Sequence, residues 1–163
     1  MKKNLVIVII AIIILVVAVI LGIKFASNKD NSTSKNVEGT LEEIMTKLYD
    51  GIPDDQKPYL ANTVVTPENV EYYLGTSDIE YKEALASEPL MSSIAHSVVL
   101  VRLNSQKDAD SVKEKIETNV NPVKWVCVEV DRQNVKVASK GDLVVLIMDN
   151  ELADKILENF NNL

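Results

Sequence analysis

Three kinds of hydrophobic spacing divide the chain, and each predicts a different element. From Leu5 to Ile23 every residue is apolar or glycine, LVIVIIAIIILVVAVILGI. A helix rising about 1.5 Å per residue would carry this run across roughly 30 Å of hydrocarbon, so Leu5, Ile10, Leu15, Ile20 and Ile23 read as membrane-anchor positions. Apolar spacing of helical period returns at Leu41, Ile44, Met45, Leu48 and Tyr49. Thr40-Leu41-Glu42-Glu43 forms a capping box at its start, and Gly51 and Pro53 end it. A second, short helix is expected from Thr66, with Pro67 in its first helical position, to Gly75, burying Val70, Tyr73 and Leu74. Between these helices Pro53, Asp54-Asp55 and Pro58 predict irregular chain. From Thr76 to Ser93 the pattern is weak: Ile79 and Tyr81 alternate as an edge strand would, and Glu88-Pro89 breaks any helix through Ala84 to Ala86.

Strand-like spacing dominates the second half. His96 to Leu103 is β-branched and apolar on both faces, the pattern of a strand covered on both sides. A helix follows Asn104 to Lys107, with Ala109, Val112, Ile116 and Val120 on one face, and Asn121-Pro122 stops it. Lys124 to Val130 alternates, with Val126, Val128 and Val130 opposite Trp125, Cys127 and Glu129, and reads as a half-buried strand. Glu129 to Asn134 could instead be one helical turn, so residues 125–134 stay open between the two. Turns at Asp131 to Asn134 and at Ser139 to Asp142 lead into Val135 to Ala138 and the wholly apolar Leu143 to Met148. A final helix, capped near Asp149 or Asn150, buries Leu152, Ala153, Ile156, Leu157 and Phe160. The expected fold is α+β: one transmembrane helix, a flexible tether, then a small mixed sheet with a βαβββα core and two preceding helices. The expected divisions are residues 1–4 as a cytoplasmic arm, 5–23 as the span, 24–39 as linker and 40–163 as an extracytoplasmic domain.

Charge sets the orientation. Lys2 and Lys3 mark the N-terminal arm as cytoplasmic. A cleaved signal would have a shorter apolar core of about 7 to 15 residues and small residues at the cut, whereas here Lys24 follows directly on the run. From Gly39 onward 12 Lys and Arg face 22 Asp and Glu, a net −10. That sign repels phosphate backbones and anionic headgroups, so the expected partners are the lipid bilayer, through the N-terminal helix, and an unidentified protein, with no nucleic acid. The single Cys127 excludes an internal disulfide and, lying far from the span, also a lipid-modified N-terminal cysteine.

The block MSSIAHSVVLVRL (Met91 to Leu103), the helix KDADSVKEKIE (Lys107 to Glu117), a strand led by Lys140-Gly141 and the closing helix together resemble the family catalogued as domain of unknown function four-three-five-eight. The resemblance spans roughly Thr40 to Leu163. It implies an anchored or lipid-modified extracytoplasmic domain of Gram-positive bacteria and attaches no activity or catalytic residue. The chain departs from the lipid-modified members in having no N-terminal Cys.

Candidate chemistry is sparse. His96, the only histidine, could serve as a base for Ser93 or Ser97, but neighbours on a strand point to opposite faces, so a structural role is expected. Cys127, set among valines beside Trp125, reads as a buried inert thiol. Asp108 to Val112 breaks the calcium-loop pattern, and Asp108 and Asp110 suit a helix start instead. One His and one Cys make no zinc site, and no phosphate-cradling glycine motif is present. No cofactor and no catalysis are therefore expected. The functional reading is an envelope interaction or scaffold module. The alternative is a small-ligand or cation sensor, or a carboxylate-based hydrolase using Asp54, Asp55 or Glu129, which requires a cleft that gathers those acids.

Overall fold

The computed structural model describes residues 35–163. The arm with Lys2 and Lys3, the run with Leu5, Ile10, Leu15, Ile20 and Ile23, and the opening residues of the expected tether lie outside the described residues. Among the described residues no helix is long and apolar enough to cross a membrane, so the described fold contains no spanning helix.

The expected sheet is corrected as well. Five strands, β1 (Leu60–Val64), β2 (Glu83–Pro89), β3 (His96–Arg102), β4 (Val135–Lys140) and β5 (Leu143–Asp149), stand in the order β1-β2-β3-β5-β4. Every neighbouring pair is antiparallel, so the sheet is not mixed. The crossover after β3 places β4 at the outer edge, running in the same direction as β3. The β4–β5 hairpin then returns β5 into the gap between them. The hairpin turns on Gly141-Asp142, and Gly141 has φ +60°, the first position of a type II′ turn.

Four helices cover both faces: α1 (Leu41–Leu48), α2 (Val70–Leu74), α3 (Ala109–Asn119) and α4 (Ala153–Asn161). Because side chains alternate along a strand, Leu85, Val98, Leu100, Val145 and Ile147 meet α1 and α4 on one face. Ala84, Ala86, Val99, Val101, Val144, Leu146 and Met148 meet α2 and α3 on the other. Both central strands, β3 and β5, are buried throughout, as their unbroken apolar runs require. The capping box opens α1, with Thr40 Oγ1 accepting from the Glu43 amide and the Glu43 carboxylate accepting from the Thr40 amide.

Three segments depart from expectation. The expected core is βαβββα, but only βαββα follows His96, because Lys124 to Val130 forms no strand. There Lys124 turns inward, Trp125 and Val130 are buried, Val126 is exposed, and Cys127 sits at φ +62°. A left-handed residue ends any extended run. The backbone instead bonds elsewhere, Val126 N–H to the Ser92 carbonyl and Val130 N–H to the Pro122 carbonyl. Of the two readings left open for this stretch, a short 3-10 turn occurs at Arg132–Asn134. Conversely, Leu60–Val64 and Glu83–Pro89, expected to be irregular or weakly patterned, are full strands.

The last residues of the expected linker are docked. Arg102, at the end of β3, donates from Nη1 to the Val37 carbonyl at 2.9 Å and from Nη2 to the Gly39 carbonyl at 2.8 Å. Its remaining bonds go to Glu83 at 2.8 Å and to Asp142 at 3.2 Å. Gln106 Nε2 also donates to the Asn36 side chain. A Cβ on Gly141 would lie 2.7 Å from the Lys35 carbonyl, so the hairpin glycine also makes room for this segment.

Candidate functional site

At the opposite end of β3 the chain builds its only buried histidine into a polar relay. His96 and Asp149 are cross-strand partners on β3 and β5, and so project from the same face. His96 Nδ1 lies 2.7 Å from Asp149 Oδ2, and the Tyr49 hydroxyl lies 2.8 Å from His96 Nε2. An ionised carboxylate only accepts, so Nδ1 donates to Asp149, while the Tyr49 hydroxyl, which can donate or accept, meets Nε2. Asp149 Oδ1 accepts from the amides of Glu151 and Leu152, which lead into α4. Burial pushes the Asp149 carboxyl up, but the bonds from His96 and from these two amides outweigh it and hold the group below the usual carboxylate range. Burial drives the Tyr49 hydroxyl well above the tyrosine range; a bond from Ser87 opposes this, and the Asp149 charge adds to it.

Both ring nitrogens of His96 are thereby occupied, and among the described residues His96 bonds no serine. Ser97 faces the other side of the sheet, as strand alternation requires, with its Oγ 3.5 Å from Lys124 Nζ. The Lys124 ammonium is almost wholly buried. It is bonded to Glu88 and lies 4.5 Å from the ring centroid of Tyr72, 5.2 Å from that of Tyr73 and 5.3 Å from that of Trp125. Burial lowers its pKa, with Glu88 opposing the shift. This cation over three aromatic faces seats Trp125, whose ring also walls the groove described next.

Asp149 opens onto a groove of about 800 Å³, within the size range of ligand clefts. Four segments line it: Asp55 to Pro58, Ile94-Ala95, the loop carrying Val123, Trp125 and Cys127 to Glu129, and Asp149 to Leu152. Its walls join apolar Ile94, Val123, Trp125, Val128 and Leu152 to the acids Asp55, Glu129, Asp149 and Glu151, with Lys57 the one cation of the lining among the described residues. Exposed apolar side chains continue this end of the molecule. Val123 itself is 55% exposed, and Tyr59, Leu90, Met91 and Val126 are also exposed. They share one corner, since Leu90 N–H bonds the Tyr59 carbonyl and Val126 N–H bonds that of Ser92.

The acids singled out from the sequence divide. Asp55 and Glu129 line the groove, whereas Asp54 faces solvent and pairs with Lys57 at 2.8 Å. Among the described residues no group of three His, Cys, Asp or Glu could hold a metal ion. Asp110 lies in the first turn of α3 and Asp108 just before it, as a helix start favours. Sequence reasoning missed Tyr49, Asp149 and Lys124 as site residues; the available signal was a lone histidine opening an otherwise apolar strand.

Cys127 is corrected from a buried to an exposed thiol on the groove wall. A thiol reagent should therefore label it in the native protein. Its left-handed backbone, φ +62°, costs about 1 kcal/mol or more in a non-glycine residue. Cys127→Gly should raise Tm by a few degrees while abolishing labelling. A lower Tm would show that the side chain contributes more than the strain costs. No family model, no curated protein and no solved structure matches the chain, and the reading of the site rests on its own geometry.

Proposed function

We propose that this chain is a membrane-anchored extracytoplasmic recognition module of a bacterial envelope, and that its groove takes a cationic segment bearing apolar side chains. The anchor is the apolar run Leu5 to Ile23 behind Lys2 and Lys3. The observation that carries the reading is the groove's lining, four carboxylates against one lysine set between apolar walls. Opposite charges raise encounter rates and the apolar contacts supply affinity. The groove also lies at the His96 end of β3, about 20 Å by strand rise from the Arg102 end where the N-terminal chain docks. The docked residues 35–39 therefore leave the groove uncovered.

Two measurements test the reading. Protease added to intact protoplasts should digest the domain, and alkaline carbonate should leave the full chain in the membrane fraction; protection until lysis, or release, would overturn the topology. Full-length protein in vesicles should bind a short Lys/Leu peptide, weaken at least tenfold in Asp55→Lys/Glu129→Lys, and weaken with salt. Equal binding of a Glu/Leu peptide would remove the charge argument. The convergence of Asp55, Glu129 and Asp149 in one groove favours a second reading, a sensor for a small cationic ligand. A small diamine that binds with the same charge dependence when the peptide does not would select it.

A further inference from the structure

The two edges of the sheet are treated differently by the sequence. On β4 the edge carries Lys136, paired with Asp154, and Lys140, bonded to the Asn161 and Leu163 carbonyls, a charged edge of the kind that discourages strand addition. The β1 edge, Leu-Ala-Asn-Thr-Val, holds no charge, no proline and no bulge. Its ladder to β2 runs through the odd residues: Val65 N–H bonds the Ala84 carbonyl, Leu90 N–H bonds the Tyr59 carbonyl, and the register places Ala61 and Thr63 between them. In an antiparallel pair the alternate residues turn their backbone groups away, so Leu60, Asn62 and Val64 present N–H and C=O outward. Of these, the Val64 carbonyl accepts from Asn69 Nδ2 at 3.3 Å.

We infer that β1 pairs with β1 of a second copy of this chain, antiparallel about a two-fold axis through Asn62, joining two five-stranded sheets into one. This does not rest on the groove. The sequence of the edge is self-complementary in that register. Leu60 meets Val64 of the second copy on one face, and Ala61 meets Thr63 on the other. Asn62 meets its own counterpart, amide to amide. Val64, 63% exposed in the single chain, gains an apolar neighbour, and no like charges are opposed although the domain is acidic. An interface of one strand pair is small and weak in solution. Anchoring both copies in one membrane raises their effective concentration without any added contact.

The test uses the full chain in lipid vesicles, in a Cys127→Ser background so that each variant carries one thiol. Cα atoms of a hydrogen-bonded antiparallel pair lie about 5.5 Å apart, within the roughly 4.4–6.8 Å span of a disulfide. Mild oxidation should therefore convert Asn62→Cys into a covalent dimer. Val64→Cys should give at least tenfold less, because the two Val64 positions stand about 13 Å apart by strand rise. Asn62→Pro removes only an outward N–H, a substitution edge strands tolerate. It should keep the melting temperature within a few degrees yet abolish association read by energy transfer between labelled copies. If proline unfolds the chain, Asn62→Lys sets two like charges opposite each other and should give the same loss. Equal cross-linking at 62 and 64, an Asn62→Cys chain that stays monomeric at every protein-to-lipid ratio, or association unchanged in folded Asn62→Pro would overturn the inference.

Discussion

Arg102→Met should lower Tm by about 10 °C or more while leaving a protein that still folds at low temperature. The guanidinium is almost buried and makes four bonds: to Glu83, to Asp142, and to the carbonyls of Val37 and Gly39. Methionine fills much of the volume but leaves Asp142 buried with neither oxygen partnered, since its Oδ1 already has no partner among the described residues. Removing one member of a buried charge pair typically costs about 3–5 kcal/mol, and each kcal/mol moves Tm by several degrees in a domain of this size. Arg102→Lys should recover only a fraction of the loss, because an ammonium cannot reproduce the planar fork. A hydrogen-exchange comparison should show residues 36–40 losing protection in the Met variant before the sheet does. Unchanged Tm would mean that the clamp contributes nothing beyond a surface ion pair.

His96→Leu should cost about 2–4 kcal/mol, because two buried polar groups, the Tyr49 hydroxyl and one Asp149 oxygen, lose their partner at once. Tyr49→Phe leaves His96 Nε2 and the Ser87 hydroxyl without this partner but keeps the His96–Asp149 bond, and should cost less, about 1–2 kcal/mol. The relay also carries a pH signature. The folded Asp149 carboxyl titrates below its unfolded value, so its contribution is complete above about pH 4 and is lost as pH falls through the folded value. Denaturant titrations between pH 5 and pH 2 should therefore show a steeper acid loss in the native sequence than in Asp149→Asn or His96→Leu. Parallel acid limbs in all three would show that His96 and Asp149 are not coupled.

Local signals made several elements of this fold legible in the sequence. The capping box at Thr40, the unbroken apolar runs of β3 and β5, and the α4 stripe ending at Phe160 all stand where spacing predicts. The misses share a cause. Glu83–Pro89 is short, small and partly charged, and becomes a strand because β1 and β3 flank it, which no local window contains. The stretch Trp125 to Val130 has the right alternation for a strand and is not one, because Lys124 is drawn beneath three aromatic rings and Cys127 turns the backbone left-handed. The candidate site was harder still. His96 could be singled out, but its acid is 53 residues away, and Asp149 carried a sufficient local explanation as a residue heading α4. Asp55 and Glu129 stand out in the sequence, whereas their meeting in one groove depends on how four segments stack at the sheet end.

The docking of Val37 and Gly39 on Arg102 sets the order in which the domain yields to a pull on its N-terminal end. Such a pull meets the Arg102 fork before it meets α1, because the two guanidinium bonds hold carbonyls that precede Leu41 in the chain. The fork therefore bears the load first, and only after both bonds break does the force pass to the helix. Force spectroscopy between residue 35 and Asn150 should accordingly show an early rupture event that Arg102→Met removes.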